Sequence, residues 1–185
     1  MKNRKVIIGG IVALVVVAAI SWFGSVGSRG GKVDINHDAV KQAAIAYASD
    51  NALNEHVDNV YGMSFKYPKD FRVGVFVDDG SRHTYLIQND TNLGLQIIVS
   101  PFDENISILT EERIKKDIPD IVMVNYHVAE ISQNKIQAAI FESESEHFGR
   151  SYEIWFIYKG NLYQASTYFD ERELADKILS TLEFK

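Results

Sequence analysis

The chain has 185 residues, 46% of them hydrophobic, and a formal net charge of −6, with 19 basic against 25 acidic side chains and no cysteine. The length suits one domain with a proper core, and the missing thiols exclude disulfides, thiolate catalysis and zinc-thiolate sites together. Residues 1–32 hold five of the basic side chains and none of the acidic ones, so the remainder stands at −11, a balance that repels nucleic acid and anionic lipid.

Residues 6–23 form an almost unbroken apolar run entered from Lys2, Arg4 and Lys5. As a helix rising about 1.5 Å per residue, the run would reach roughly 27 Å, close to the ~30 Å hydrocarbon core of a bilayer. Val6, Ile7, Ile8, Ile11, Val12, Leu14, Val15, Val16, Val17, Ile20, Trp22 and Phe23 supply its apolar surface. Trp22 falls at headgroup level, and the basic flank predicts a cytoplasmic N-terminus. The run exceeds the ~7–15 residues of a signal-peptide core and lacks a small-x-small site before polar sequence, so it reads as an uncleaved signal anchor. A lipoprotein is excluded for want of a cysteine, and no acid before Asp34 matches a pilin. The expectation is a single-pass protein of the cell membrane whose remaining chain faces outward.

Residues 24–32 contain four glycines and two serines and read as a flexible spacer. Gly31-Lys32 is no phosphate loop, because Val26 and Val33 stand where a glycine and a hydroxyl are required. Over 38–51, Val40, Ala43, Ala44 and Tyr47 fall at helical spacing, with Asn36 or Asp38 available as a cap. This helix could pack on the domain, pair with another copy or act as a stalk.

Beyond Asn59 the period changes to two. Alternation predicts strands over 63–67 and 71–77, neighbours on either side of Pro68, and further strands over 85–88 and 93–99. Thr110 caps a short helix through Asp117, with Glu112 and Arg113 outward, Ile114 and Ile118 inward, and Pro119 as terminator. Strands resume over 122–131, 135–142 and 151–158, and a Lys159-Gly160-Asn161 turn leads into 162–169. Both faces of this last hairpin are apolar, which implies a central position covered on both sides, with Trp155 against a helix. A closing helix begins near Glu171, with Leu174, Ile178 and Leu182 at four-residue spacing. Strands in series with segregated helices make an α+β pattern.

Chemistry-bearing constellations are sparse. Glu142, Glu144 and Glu146 share one face of an extended segment that ends in His147, a set suited to a hard cation or a transition ion. Strand carboxylates two residues apart sit about 7 Å from each other, however, too far to meet on one ion without a bend. The plainer reading is a charged, solvated strand end. Asp78-Asp79 is explained by turn chemistry and Asp103-Glu104 by loop solubility, so neither pair calls for acid and base catalysis. His37, His56, His83, His127 and His147 lack ligand spacing, and no G-x-S-x-G nucleophile motif lies in the domain. No catalytic residue, metal ligand or cofactor site is expected.

Tyr61-Gly62-Met63-Ser64-Phe65-Lys66-Tyr67-Pro68, followed by Phe71, resembles the opening strand of the PsbP-like family. Trp155-Phe156-Ile157-Tyr158, the glycine turn, Leu162-Tyr163-Gln164-Ala165-Ser166-Thr167-Tyr168 and Ile178-Leu179-Ser180-Thr181-Leu182-Glu183-Phe184 are similar to its terminal hairpin and helix. The resemblance implies an α/β/α sandwich with an antiparallel central sheet. It also implies protein binding rather than catalysis, since the family includes extrinsic photosystem subunits, Ran-binding relatives and exported bacterial proteins. With no transit peptide and a retained anchor, a bacterial membrane-anchored member is the expectation. None of that family's partner-binding residues maps onto a numbered position.

The expected plan is a cytoplasmic tip and transmembrane anchor in residues 1–24, a spacer and short helix in 25–58, and the α+β domain in 59–185. The expected function is a noncatalytic binding or assembly module with the membrane and an unidentified protein as partners, and no nucleic acid. The alternative is a metal-binding or hydrolytic domain built on residues 142–147.

Overall fold

Alternating apolar and polar residues bury one side of a strand and, where both sides are apolar, place it centrally. The computed structural model describes residues 53–78, 81–145 and 149–185. In chain order these form β1 (Leu53–Asp58), β2 (Met63–Pro68), β3 (Arg72–Val77), β4 (His83–Gln88), β5 (Gly94–Pro101), α1 (Glu111–Asp117), β6 (Val122–Ile131), β7 (Ile136–Ser145), β8 (Gly149–Tyr158) and β9 (Asn161–Tyr168). A 3-10 turn (Phe169–Glu171), α2 (Arg172–Ser180) and β10 (Glu183–Phe184) follow.

The strands make a seven-stranded sheet in the order β3-β4-β5-β9-β8-β7-β6 and a three-stranded sheet in the order β1-β2-β10. Every strand pairing is antiparallel. One face of the large sheet, carrying Tyr85, Ile97, Ile140, Phe156 and Tyr163, shares an apolar cluster with Met63 and Phe65 of β2, Phe184 of β10, and Leu174 and Ile178 of α2. On the other face Ala139, Phe141, Trp155 and Leu162 cluster with Phe102, Leu109 and Ile114. The large sheet is thus the middle layer. The β8–β9 hairpin lies inside it, as its two apolar faces imply, and turns through Lys159 (φ 47°) and Gly160 (φ 74°), the pair of positive angles a two-residue turn needs. Thr110 Oγ1 accepts from the Arg113 N–H at 3.2 Å and opens α1, with Ile114 buried beneath.

Four features depart from the sequence reading. β1, ahead of the expected domain start at Asn59, is a strand paired along its length with β2. β2 and β3 are not neighbours: the Phe71 N–H donates to Pro68 O at 3.0 Å, and that turn carries the chain from the small sheet to the large one. The closing helix stops at Ser180 because Thr181 Oγ1 donates to Ile178 O at 2.7 Å, and Glu183 and Phe184 then pair with β2. Arg113 is not outward: its side chain is only 13% exposed, and its guanidinium joins Glu104 and Asp117.

The anchor residues 6–23, the spacer and the helix expected over 38–51 lie outside the described residues. Among the described residues no helix is long and apolar enough to cross a membrane.

Candidate functional site

The acidic end of β7 was the sharpest chemical expectation, and the register divides it. Glu142 and Glu144 stand opposite Tyr152 and Arg150 on one face, while Ser143 stands opposite Ser151 on the other. Glu142 accepts from Asn125 Nδ2 at 2.7 Å and is ion-paired with Arg150. These bonds, Asn125 first, hold its carboxyl below the usual range. Arg150 in turn stacks on the Phe169 ring, 3.9 Å from its centroid. Glu142 therefore ties β6, β7 and β8 together at the strand ends. Glu146 and His147 lie outside the described residues, and among the described residues no three His, Asp or Glu side chains converge as metal ligands.

The other acidic pairs are structural where they are described. Asp78 accepts from the Arg82 N–H at 3.1 Å in the β3–β4 turn, and Glu104 accepts from Arg113 Nε at 2.8 Å. His127 is an exposed strand residue whose Nδ1 lies 2.9 Å from Asn125 O. His56 and His83 flank Tyr85, with ring centroids 5.8 and 6.4 Å away. Each has one buried ring nitrogen without a partner, His56 Nε2 and His83 Nδ1. Burial lowers the His56 pKa, with Asp58 opposing.

Two buried carboxyls escaped the sequence reading. Glu153, on the Trp155 face of β8, accepts from Ser166 Oγ at 2.5 Å, Ser151 Oγ at 2.7 Å and Trp155 Nε1 at 3.1 Å. Burial pushes its carboxyl up, and these donors pull it down. Gln96 and Gln164 are buried on the same face, and both polar atoms of Gln96 lack partners. Glu171 accepts from the Gly94 N–H at 2.6 Å, and burial pushes its pKa up to about 7. The overlooked signal for Glu153 was cross-strand: Ser143, Ser151 and Ser166 fall on the same sheet face around it.

Large apolar side chains are exposed chiefly along sheet edges. On β3, Val75, Phe76 and Val77 are 43%, 41% and 63% exposed; on β6, Val122, Val124 and Val128 are 53%, 48% and 40% exposed. Among the described residues, β3 and β6 are the two outer strands of the large sheet. β6 carries a register shift between Val124 and His127, with Asn125 at φ 58°. Such a bulge twists an edge away from foreign strands. β3 pairs with β4 in unbroken register.

No protein-family model matches the chain, and no curated protein matches it. Among solved structures, cyanobacterial PsbP (CyanoP) from Synechocystis sp. PCC 6803 is similar with a TM-score of 0.53 and 16% identity, covering 88% of this chain and 100% of that one. A crystal structure from Bacteroides thetaiotaomicron VPI-5482 aligns with a TM-score of 0.43 and 15% identity over 71% of this chain and 48% of that one. The mostly antiparallel fold with its two short helices is PsbP-like.

Proposed function

We propose that the chain is a single-pass, membrane-anchored, extracytoplasmic domain that works as a noncatalytic protein-binding or assembly module. The observation that carries this reading is the concentration of exposed valine and phenylalanine at the two outer strands of a sheet whose faces are otherwise well covered. An apolar sheet edge is a surface that another chain completes. The apolar run over residues 6–23 and the glycine-rich spacer behind it supply the tether.

Crosslinking in native membranes, followed by identification of the chains that copurify, tests the binding role; recovery of no specific protein, this chain included, counts against it. Extraction at alkaline pH tests the tether. Release of the full-length chain into the aqueous fraction, or a mature N-terminus between Ser21 and Gly27, would rule out the anchor.

A further inference from the structure

We infer that β3 pairs with β3 of a second copy of this chain, about a two-fold axis that passes beside Val75 perpendicular to the sheet. This deepens the reading of the chain as a tethered binding module by naming one of its partners.

The turn after β3 fixes the parity of the edge. The Asp78 N–H donates to Arg82 O at 3.0 Å, so bonded positions toward β4 recur at Phe76, Gly74 and Arg72. The N–H and C=O groups of Val73, Val75 and Val77 therefore point away from β4. An outer strand usually carries a lysine, a proline, an inward charge or a bulge as protection. Residues 73–77 of β3, Val-Gly-Val-Phe-Val, carry none of these.

The same segment is complementary to itself. With Val75 opposite Val75 of the other copy, Val73 meets Val77, and the three bonded pairs would exchange about six interchain hydrogen bonds. Between them Gly74 meets Phe76, an aromatic ring against the strand position with no side chain. Within one chain the Phe76 ring already lies over the Gly74 of its own strand, where a Cβ would stand 3.2 Å from Cε2. No charge is buried in this register. Because the axis is perpendicular to the sheet, both small sheets, and with them the Leu53 start of each β1, stand on one side of the shared sheet. Two short strands bury less than the ~1,200 Å² of a stable complex, so confinement in a membrane supplies the missing concentration.

The chain has no cysteine, which makes the test clean. Full-length Val75→Cys in its membranes, under a mild oxidant, should give a disulfide-linked dimer of twice the 20.9 kDa chain, because facing Cα atoms at a bonded pair lie about 5.5 Å apart. Val77→Cys should remain a monomer: its two Cα atoms would be roughly 14 Å apart in this register, although Val77 is more exposed than Val75. Val75→Pro should abolish native dimers without changing strand content, since only the outward N–H is lost. A Val75→Cys chain that stays monomeric while its thiol reacts with maleimide overturns the pairing. So does equal crosslinking of both cysteine variants, the mark of collision. If other proteins still copurify specifically, the self-pairing alone falls and the binding role stands.

Discussion

The Tyr85 hydroxyl donates to Asp58 Oδ2 at 2.8 Å, joining β4 of the large sheet to the end of β1 in the small one. The other Asp58 oxygen accepts from the N–H groups of Val60 and Tyr61, each at 2.8 Å, and fixes the β1–β2 turn. A single carboxylate thus shapes a turn and ties two layers, and beside it burial pushes the Tyr85 hydroxyl pKa up. Tyr85→Phe should cost about 1.5–3 kcal/mol, the range for a hydrogen bond to a charged group. Asp58→Ala should cost more, because the turn loses its acceptor as well. Urea unfolding midpoints of the two variants give the comparison, and equal midpoints for wild type and Tyr85→Phe would refute the tie.

Glu171 makes stability depend on pH. Its pKa rises from 4.5 to about 7 on folding. The folded chain therefore holds this proton more tightly than the unfolded one, and the resulting stabilisation is fully present below about pH 4.5. It is lost as pH rises through about 7, a total of roughly 3 kcal/mol. Glu171→Gln keeps an acceptor for the Gly94 N–H and cannot ionise. The variant should gain on wild type between pH 5 and pH 8, measured by denaturant midpoints at both; a constant difference across that window would contradict the assignment.

Gly94 has the least room for a side chain of any glycine among the described residues. A Cβ there would lie 2.0 Å from Ile87 O and 2.8 Å from Gln88 Cα, both backbone atoms that cannot move without opening the β4–β5 hairpin. The same glycine donates to Glu171 and accepts from Thr167 Oγ1 at 2.6 Å. Gly94→Ala should destabilise by on the order of 4 kcal/mol. Gly149, with φ 70° and open space around its Cβ position, should lose only about 1 kcal/mol on the same change. Thermal melts of the pair would expose an error if the two variants proved alike.

The acidic end of β7 should not bind metal. Glu142 is held by Asn125 and Arg150, so a cation would have to displace a charge-assisted contact before gaining its first ligand. Calorimetric titration of the full chain with Ca²⁺, Mn²⁺ and Zn²⁺ should give no binding heat up to millimolar concentrations. Saturable heat that disappears in Glu142→Gln would restore the metal-binding alternative.

Most elements were legible wherever a local pattern carried them. Two-residue alternation marked most of the strands from β2 to β9, Thr110 announced α1, and Lys159-Gly160 announced the tightest turn. What sequence spacing missed was decided between distant segments. β1 reads Leu-Asn-Glu-His-Val-Asp, with two apolar residues in six, and owes its form to pairing with β2. Alternation in β2 and β3 was plain, but nothing local told a hairpin from a step between layers. Glu153 carries no local mark of burial, because its partners Ser151 and Ser166 are ordinary serines until β8 and β9 are laid side by side. Arg113 sat on the expected solvent face of α1 until Glu104, nine residues earlier, came back over it.

The small sheet joins widely separated parts of the chain: Thr181 Oγ1 accepts from the Lys66 N–H at 2.9 Å, a separation of 115 residues, and β10 completes β2. At roughly 5–20 residues per second of synthesis, the second side of β2 waits on the order of ten seconds for its partner. During that interval Met63 and Phe65 have no finished layer to enter. The small sheet therefore cannot be completed before Phe184 has been made, and a nascent chain arrested a few residues short should present an open strand to whatever helper accompanies it.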